Sequence, residues 1–182
     1  MTTIENHSDS NRRTTRSSSP AADLTITAPA QSHGADIWRV ARDSGSLDLN
    51  TSYAYLLLAR DFAATSRVAL HEGEVVGFVL GYLRPDAPQR LFIWQIAVDE
   101  SMRGQRVAAR LLEALLEDLP SVTALETTIT EDNSASQRLF ASLAERHGAS
   151  HTIEPLFEES HFPDEGHGAE LLHVIGDLRP GA

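Results

Sequence analysis

The chain has 182 residues, enough for one domain with a sizeable core, and no apolar run long enough to span a membrane. All 15 basic residues are arginine and no residue is cysteine, which excludes disulfides and thiol catalysis. The net charge of −11 argues against a nucleic-acid partner and suits a cationic small molecule or, more blandly, a solvated acidic surface.

Residues 1–22 are rich in Ser, Thr, Asn and Arg and hold almost no large apolar side chain, so a disordered tail is expected ahead of one domain over 23–182. The start also lacks the apolar segment of a secretion signal, which makes a cytoplasmic location the default. Leu24–Thr27 alternates as a strand does. Residues 35–42 read as a short helix closed by Gly45. Asn50, Thr51 or Ser52 can cap the next helix, over 52–63, with Tyr53, Leu56, Leu57 and Phe62 as its apolar positions. Residues 66–71 and 74–82 read as two strands joined by a Glu72-Gly73 turn, and Gly77 and Gly81 inside the second mark a close approach by a neighbour.

Beyond Pro85 and Pro88, residues 90–98 form an apolar run suited to a central strand. A polar turn follows, then a helix with apolar stripes at Val107, Leu111, Leu115 and Leu119 and at Ala108, Leu112 and Leu116, stopped by Pro120. Residues 122–130 read as a strand. Asp132-Asn133 caps a helix over 134–146, with Leu139, Phe140 and Leu143 inward and Gly148 ending it. The chain closes with 150–153, a loop containing Pro155 and Pro163, and a last strand over 169–176. This order predicts an α/β fold, a mixed sheet with helices on both faces.

The turn before the 107 helix carries the clearest chemistry. Such a turn aims the first free amides of the helix, at its positive dipole end, toward a phosphate. Arg103 and Arg106 add forked donors. The segment Arg103-Gly104-Gln105-Arg106-Val107-Ala108 resembles the Gln/Arg-x-x-Gly-x-Gly/Ala motif of the GNAT family of N-acetyltransferases, with Arg106 where the central glycine stands. The resemblance implies the GNAT fold, mostly antiparallel, with acetyl-CoA as co-substrate. Its pyrophosphate would rest on residues 103–108. A central strand splayed from its neighbour would hold the pantetheine arm by the backbone of Ile96, Ala97 and Val98. Asn133, in the second segment similar to the family's, would contact the cofactor. Many members carry a Tyr that protonates the departing thiolate; Phe140 occupies that place and has no proton to give.

Over 23–178 the strings 47–53, 92–99, 128–130 and 167–170 resemble the branch of the family that acetylates the 4-amino group of L-2,4-diaminobutyrate on the way to ectoine, an osmoprotectant. That resemblance implies a homodimer and an amine pocket lined by Asp48, Tyr53, Trp94 and Thr130. Glu170 or His167 would take the proton that the attacking amine must lose. Asp48 could instead merely cap a helix, and Trp94 could be simple core. His161, His167 and His173 with Asp164 and Glu165 match no known ligand spacing, and no metal is expected. Two rival readings stand: an enzyme of the same fold acting on another amine, such as a polyamine or a protein N-terminus, and a non-catalytic acyl-CoA sensor.

Overall fold

The computed structural model describes residues 24–163 and 166–178. The expected tail over 1–22, and Asp164 and Glu165, lie outside them. Eleven regular elements follow the expected order: β1 Leu24–Thr27, α1 Gly34–Ser44, α2 Ser52–Asp61, β2 Arg67–His71, β3 Glu74–Arg84, β4 Ala87–Val98, α3 Val107–Glu117, β5 Ala124–Thr130, α4 Ser134–His147, β6 Ser150–Phe157 and β7 Glu170–Gly176. The strands form one sheet in the order β1-β2-β3-β4-β5-β7-β6. Every pairing is antiparallel except β4 with β5. No described helix is long and apolar enough to cross a membrane.

Local chemistry explains most boundaries. Glu72 and Gly73 both have positive φ, 52° and 85°, which suits the tight β2–β3 hairpin. The Asn133 carboxamide oxygen accepts from the Ser136 amide and caps α4, and Gly148 ends it with φ 57°. Gly77 and Gly81 are needed for close approach: a Cβ on Gly81 would stand 2.7 Å from the Phe92 carbonyl oxygen, and one on Gly77 3.2 Å from that of Ala97.

Each face of the sheet has its own core. Val107, Leu111, Leu112 and Leu115 of α3, with Phe140 and Leu143 of α4, pack on one side. Ile37, Val40 and Ala41 of α1, with Tyr55 and Ala59 of α2, pack on the other. A bulge in β4 links them. Leu80 pairs with Gln95 and Gly81 with Ile93, so Trp94 is an extra residue. Leu91 and Ile93 therefore face the α3 side, whereas Ala97 faces the α1 side.

Three expectations are corrected. Strand β4 begins at Ala87, not after Pro88, because the proline lies at its exposed end. Pro155 sits inside β6 rather than in a loop; β6 is a sheet edge, where a missing amide leaves no ladder bond broken. Helix α2 buries Tyr55 and Ala59, while Tyr53, Leu56 and Phe62 stand exposed around it.

Strands β4 and β5 pair only from Arg90 to Ile93 against Ala124 to Thr127. Beyond that point β4 runs on to Val98 along β3, and β5 runs on to Thr130 along β7. The sheet thus opens into a V, leaving one backbone edge of residues 94–98 without a partner strand among the described residues.

Candidate active site

The turn into α3 lies at the end of β4, on one side of the V. Arg106 is the N-cap of α3 and adopts φ 59°, and Gly104 adopts φ 77°. Arg106, at the place of the motif's central glycine, thus stands in the left-handed region, at a steric cost. Among the described residues no side chain caps this helix. Its first-turn amides, from Val107 on, have no intrahelical acceptor. Arg103 and Arg106 are exposed beside them, and Arg103 donates to the Ser44 carbonyl at 3.5 Å. Gln105 donates to the Ser101 carbonyl at 3.3 Å, and its own buried oxygen has no described partner. The side chain of Val107 belongs to the core, as do those of Ile96, Ala97 and Val98, so these residues offer backbone only. Free amides, two exposed guanidinia and an unpaired strand edge fit a pyrophosphate with an amide-bearing arm. Asn133 spends one lone pair of its oxygen on the α4 cap, and its amide nitrogen remains as a donor for a ligand.

Inside the V lies a cleft of about 730 Å³, built from four separated segments. The loop before α2 gives Asp48, β4 gives Trp94 and Gln95, β5 and the loop after it give Thr130, Glu131, Asp132 and Asn133, and the entry to β7 gives His167 and Glu170. Register places Glu170 directly opposite Thr130. The structure thus brings together Asp48, Trp94, Thr130, Asn133, His167 and Glu170 of the expected residues. It does not bring in Tyr53, which is 66% exposed on the outer turn of α2 and does not line the cleft.

The Asp48 loop is tied down from two sides. From below, the buried Tyr55 hydroxyl donates to the Gln95 side-chain oxygen at 2.9 Å, and the Gln95 amide donates to the Asp48 carbonyl at 2.9 Å. From across the cleft, His167 Nε2 lies 3.2 Å from the Asp48 carboxylate. His167 Nδ1 lies 2.8 Å from the Gly168 carbonyl, and its ring stacks on Phe162 with centroids 3.6 Å apart. Both partners are acceptors, so both ring nitrogens must carry hydrogen, and the imidazolium form is favoured. Accordingly its pKa is raised, first by the Gly168 carbonyl and then by Asp48 and Glu170, against the opposing effect of burial. While it donates on both sides, the ring has no free lone pair with which to take a proton.

Gln95 and Tyr55 escaped the sequence reading. The signal for Gln95 was present: a polar side chain inside an apolar strand must find partners when buried. Tyr55 lacked one, since α2 is apolar on nearly every side.

Residues 34–144 match the acetyltransferase (GNAT) family. The L-2,4-diaminobutyric acid acetyltransferase of Streptomyces coelicolor is 52% identical over 164 residues, 88% of this chain and 96% of that one. The enzyme of the same name from Streptomyces anulatus is 54% identical over 157 residues, covering 84% and 89%. Among solved structures, the diaminobutyrate acetyltransferase EctA of Paenibacillus lautus, in complex with its substrate L-2,4-diaminobutyric acid and coenzyme A, superposes with a TM-score of 0.82 at 37% identity, covering 87% of this chain and 98% of that one. Ard1 of Thermoplasma volcanium, 21% identical with a TM-score of 0.67, shares the fold. The chain belongs to the acetyltransferase (GNAT) family and, within it, groups with the L-2,4-diaminobutyric acid acetyltransferases.

Proposed function

We propose that the chain transfers the acetyl group of acetyl-CoA to the 4-amino group of L-2,4-diaminobutyrate, giving N4-acetyl-L-2,4-diaminobutyrate. The carrying observation is the cleft in the V of the sheet, where carboxylates from separate segments converge beside an unpaired strand edge. Relatives that are about half identical along nearly the whole chain support the same substrate, against a polyamine, a protein N-terminus or a sensor role.

Bound acetyl-CoA supplies the thioester carbon that the amine attacks. The residues of the chain do the rest. Arg103, Arg106 and the amides of 104–108 hold the phosphates, and the free edge of residues 94–98 holds the arm. The reactive amine is protonated in water, with a pKa of about 10 as for Lys, so it must be bound as a cation and then lose a proton. Glu170 takes that proton, because the double donation of His167 disqualifies it as the base. Thr130, opposite Glu170, hydrogen-bonds the amine, the face of Trp94 borders the cation, and Asp48 pairs with the second ammonium. Phe140 is buried in the α4 core and carries no hydroxyl, so the departing sulfur takes its proton from another group or from water.

The same reading carries a cytoplasmic homodimer working in ectoine synthesis and osmoprotection. The exposed Tyr53, Leu56 and Phe62 give such a dimer an apolar surface to close on. Proton NMR of the product from purified protein, acetyl-CoA and diaminobutyrate tests the activity. Acetyl at N4 is expected, with spermidine and a peptide N-terminus consumed far more slowly. Faster turnover of either alternative, or none of any amine, would overturn it.

A further inference from the structure

The phosphate turn is held at its root by a side chain from another element. Asp99 follows the last residue of β4 and is the N-cap of the short helical turn Glu100–Met102, which leads into Arg103. An aspartate in that place ordinarily accepts an amide of its own turn. Here it makes no such bond. Its two carboxylate oxygens lie instead 3.2 and 3.3 Å from Nη1 of Arg39, in the middle of α1 and 60 residues earlier. The same guanidinium reaches the sheet. Its Nη2 donates to the Val75 carbonyl at 2.6 Å, beside the bond of 2.8 Å from the Asp99 amide to the Val76 carbonyl. Arg39 thus spans the point where β4 leaves β3 and the turn begins. Its helix is a firm base, since Ile37, Val40 and Ala41 are buried against β3. The helix meets the turn again at its C-terminal end, where the Ser44 carbonyl accepts from Arg103 at 3.5 Å.

We propose that Arg39 is a positioning residue for the cofactor: it fixes the direction in which the turn leaves β4, and so the aim of the amides of 104–108 at the phosphates of acetyl-CoA. Both of its terminal nitrogens are spent on Asp99 and Val75, so it acts through the turn and not on the ligand. Arg39 is 34% exposed, and an ion pair so open to water adds little to stability. What it supplies is placement. A forked guanidinium suits two acceptors on two strands, whereas a lysine offers a single point charge.

The inference rests on the reading of residues 103–108 as the phosphate site. S-acetylpantetheine carries the thioester and the arm but no phosphate. The ratio of kcat/KM for acetyl-CoA to that for S-acetylpantetheine, at saturating L-2,4-diaminobutyrate, is compared in wild type, Arg39→Met, Arg39→Lys, Asp99→Ala and the double variant Arg39→Met/Asp99→Ala. Calorimetry gives the affinity for coenzyme A, and melting temperatures verify folding. Ratio and affinity should fall by about 10-fold in Arg39→Met and in Asp99→Ala, with little change toward S-acetylpantetheine, as expected of a displaced binding group. Arg39→Lys should recover only part of the loss. The double variant should fall no further than the single ones, because all break one link. Should Arg39→Met not fold, Arg39→Lys and Asp99→Ala carry the same comparison. Tighter coenzyme A binding by Asp99→Ala would reduce the pair to charge balance and overturn the inference. Equal losses with both thioesters, or a lower melting temperature at an unchanged ratio, would make Arg39 a plain tie of the fold and overturn it too. Arg103→Ala/Arg106→Ala separates the two levels. If it lowers the ratio and Arg39→Met does not, only the inference falls; if neither lowers it, the phosphates bind elsewhere and the reading falls as well.

Discussion

The two ends of the V are built in opposite ways. The phosphate turn is one contiguous stretch, Arg103 to Ala108, whose ligands are mostly backbone and whose shape is set by two left-handed residues. The amine cleft is assembled from loops and strand ends far apart in the chain, with Asp48 and His167 meeting across 119 residues, and its candidate ligands are side chains. The first site should therefore keep its shape when a side chain changes, and lose only the affinity which that side chain's charge supplied. The second should lose amine affinity when a supporting contact is lost. A cofactor shared across a family can be read by a local backbone device, whereas a particular amine needs charges fixed one by one.

The largest effect expected is at Glu170. Glu170→Gln keeps shape and hydrogen bonding but loses the base, and turnover should fall by about 10²- to 10⁴-fold. Calorimetry should show acetyl-CoA affinity unchanged, which keeps the two ends separate. At the other end, Arg103→Ala and Arg106→Ala should each raise the apparent KM for acetyl-CoA by about 10- to 100-fold, as expected for a lost charge-assisted contact. Arg106→Gly sharpens the contrast. It loses the same charge but relieves a left-handed side chain, so its unfolding free energy should rise by about 1 kcal/mol while that of Arg106→Ala does not.

A smaller effect is expected from Tyr55→Phe, which leaves the buried Gln95 oxygen without its donor. Stability should drop by about 1–3 kcal/mol in urea unfolding. The KM for the amine should rise and that for acetyl-CoA stay put, since Gln95 steadies only the Asp48 loop.

The mildest test is pH. The pKa of His167 is raised in the folded protein, chiefly by the Gly168 carbonyl and further by Asp48 and Glu170. The tie to Asp48 is then complete below the unfolded value of about 6.5 and is lost as pH climbs through the higher folded value. The KM for diaminobutyrate should hold steady and then rise on the alkaline side, although more of the amine is unprotonated there. His167→Gln should flatten that rise; a rise that survives in the variant assigns the titration to another group.

How much of this was legible in the sequence follows the same contrast. The caps at Asn133 and Gly148, the Glu72-Gly73 hairpin and the α3 stripe are set by neighbours a few residues away, and they appear in the structure as read. The face of α2 was not legible. Tyr53, Tyr55, Leu56, Leu57 and Leu58 surround that helix with apolar side chains, so periodicity cannot choose between Tyr53 and Tyr55. The course of β6 through Pro155 depended on its place at the sheet edge, which is a property of the whole topology. His167 was legible as a candidate, and the structure places it in the cleft, but its contacts were not. Its two acceptors, one on the adjacent glycine and one on a distant loop, decide that it donates rather than accepts.

A crystal structure of the chain with coenzyme A and L-2,4-diaminobutyrate tests the central claim most directly. It should show the pyrophosphate on the amides of 104–108, the arm along the free edge of residues 94–98, and the 4-amine within hydrogen-bond reach of Glu170. A cofactor lying outside the V, or a 4-amine turned away from Glu170 toward solvent, would contradict it.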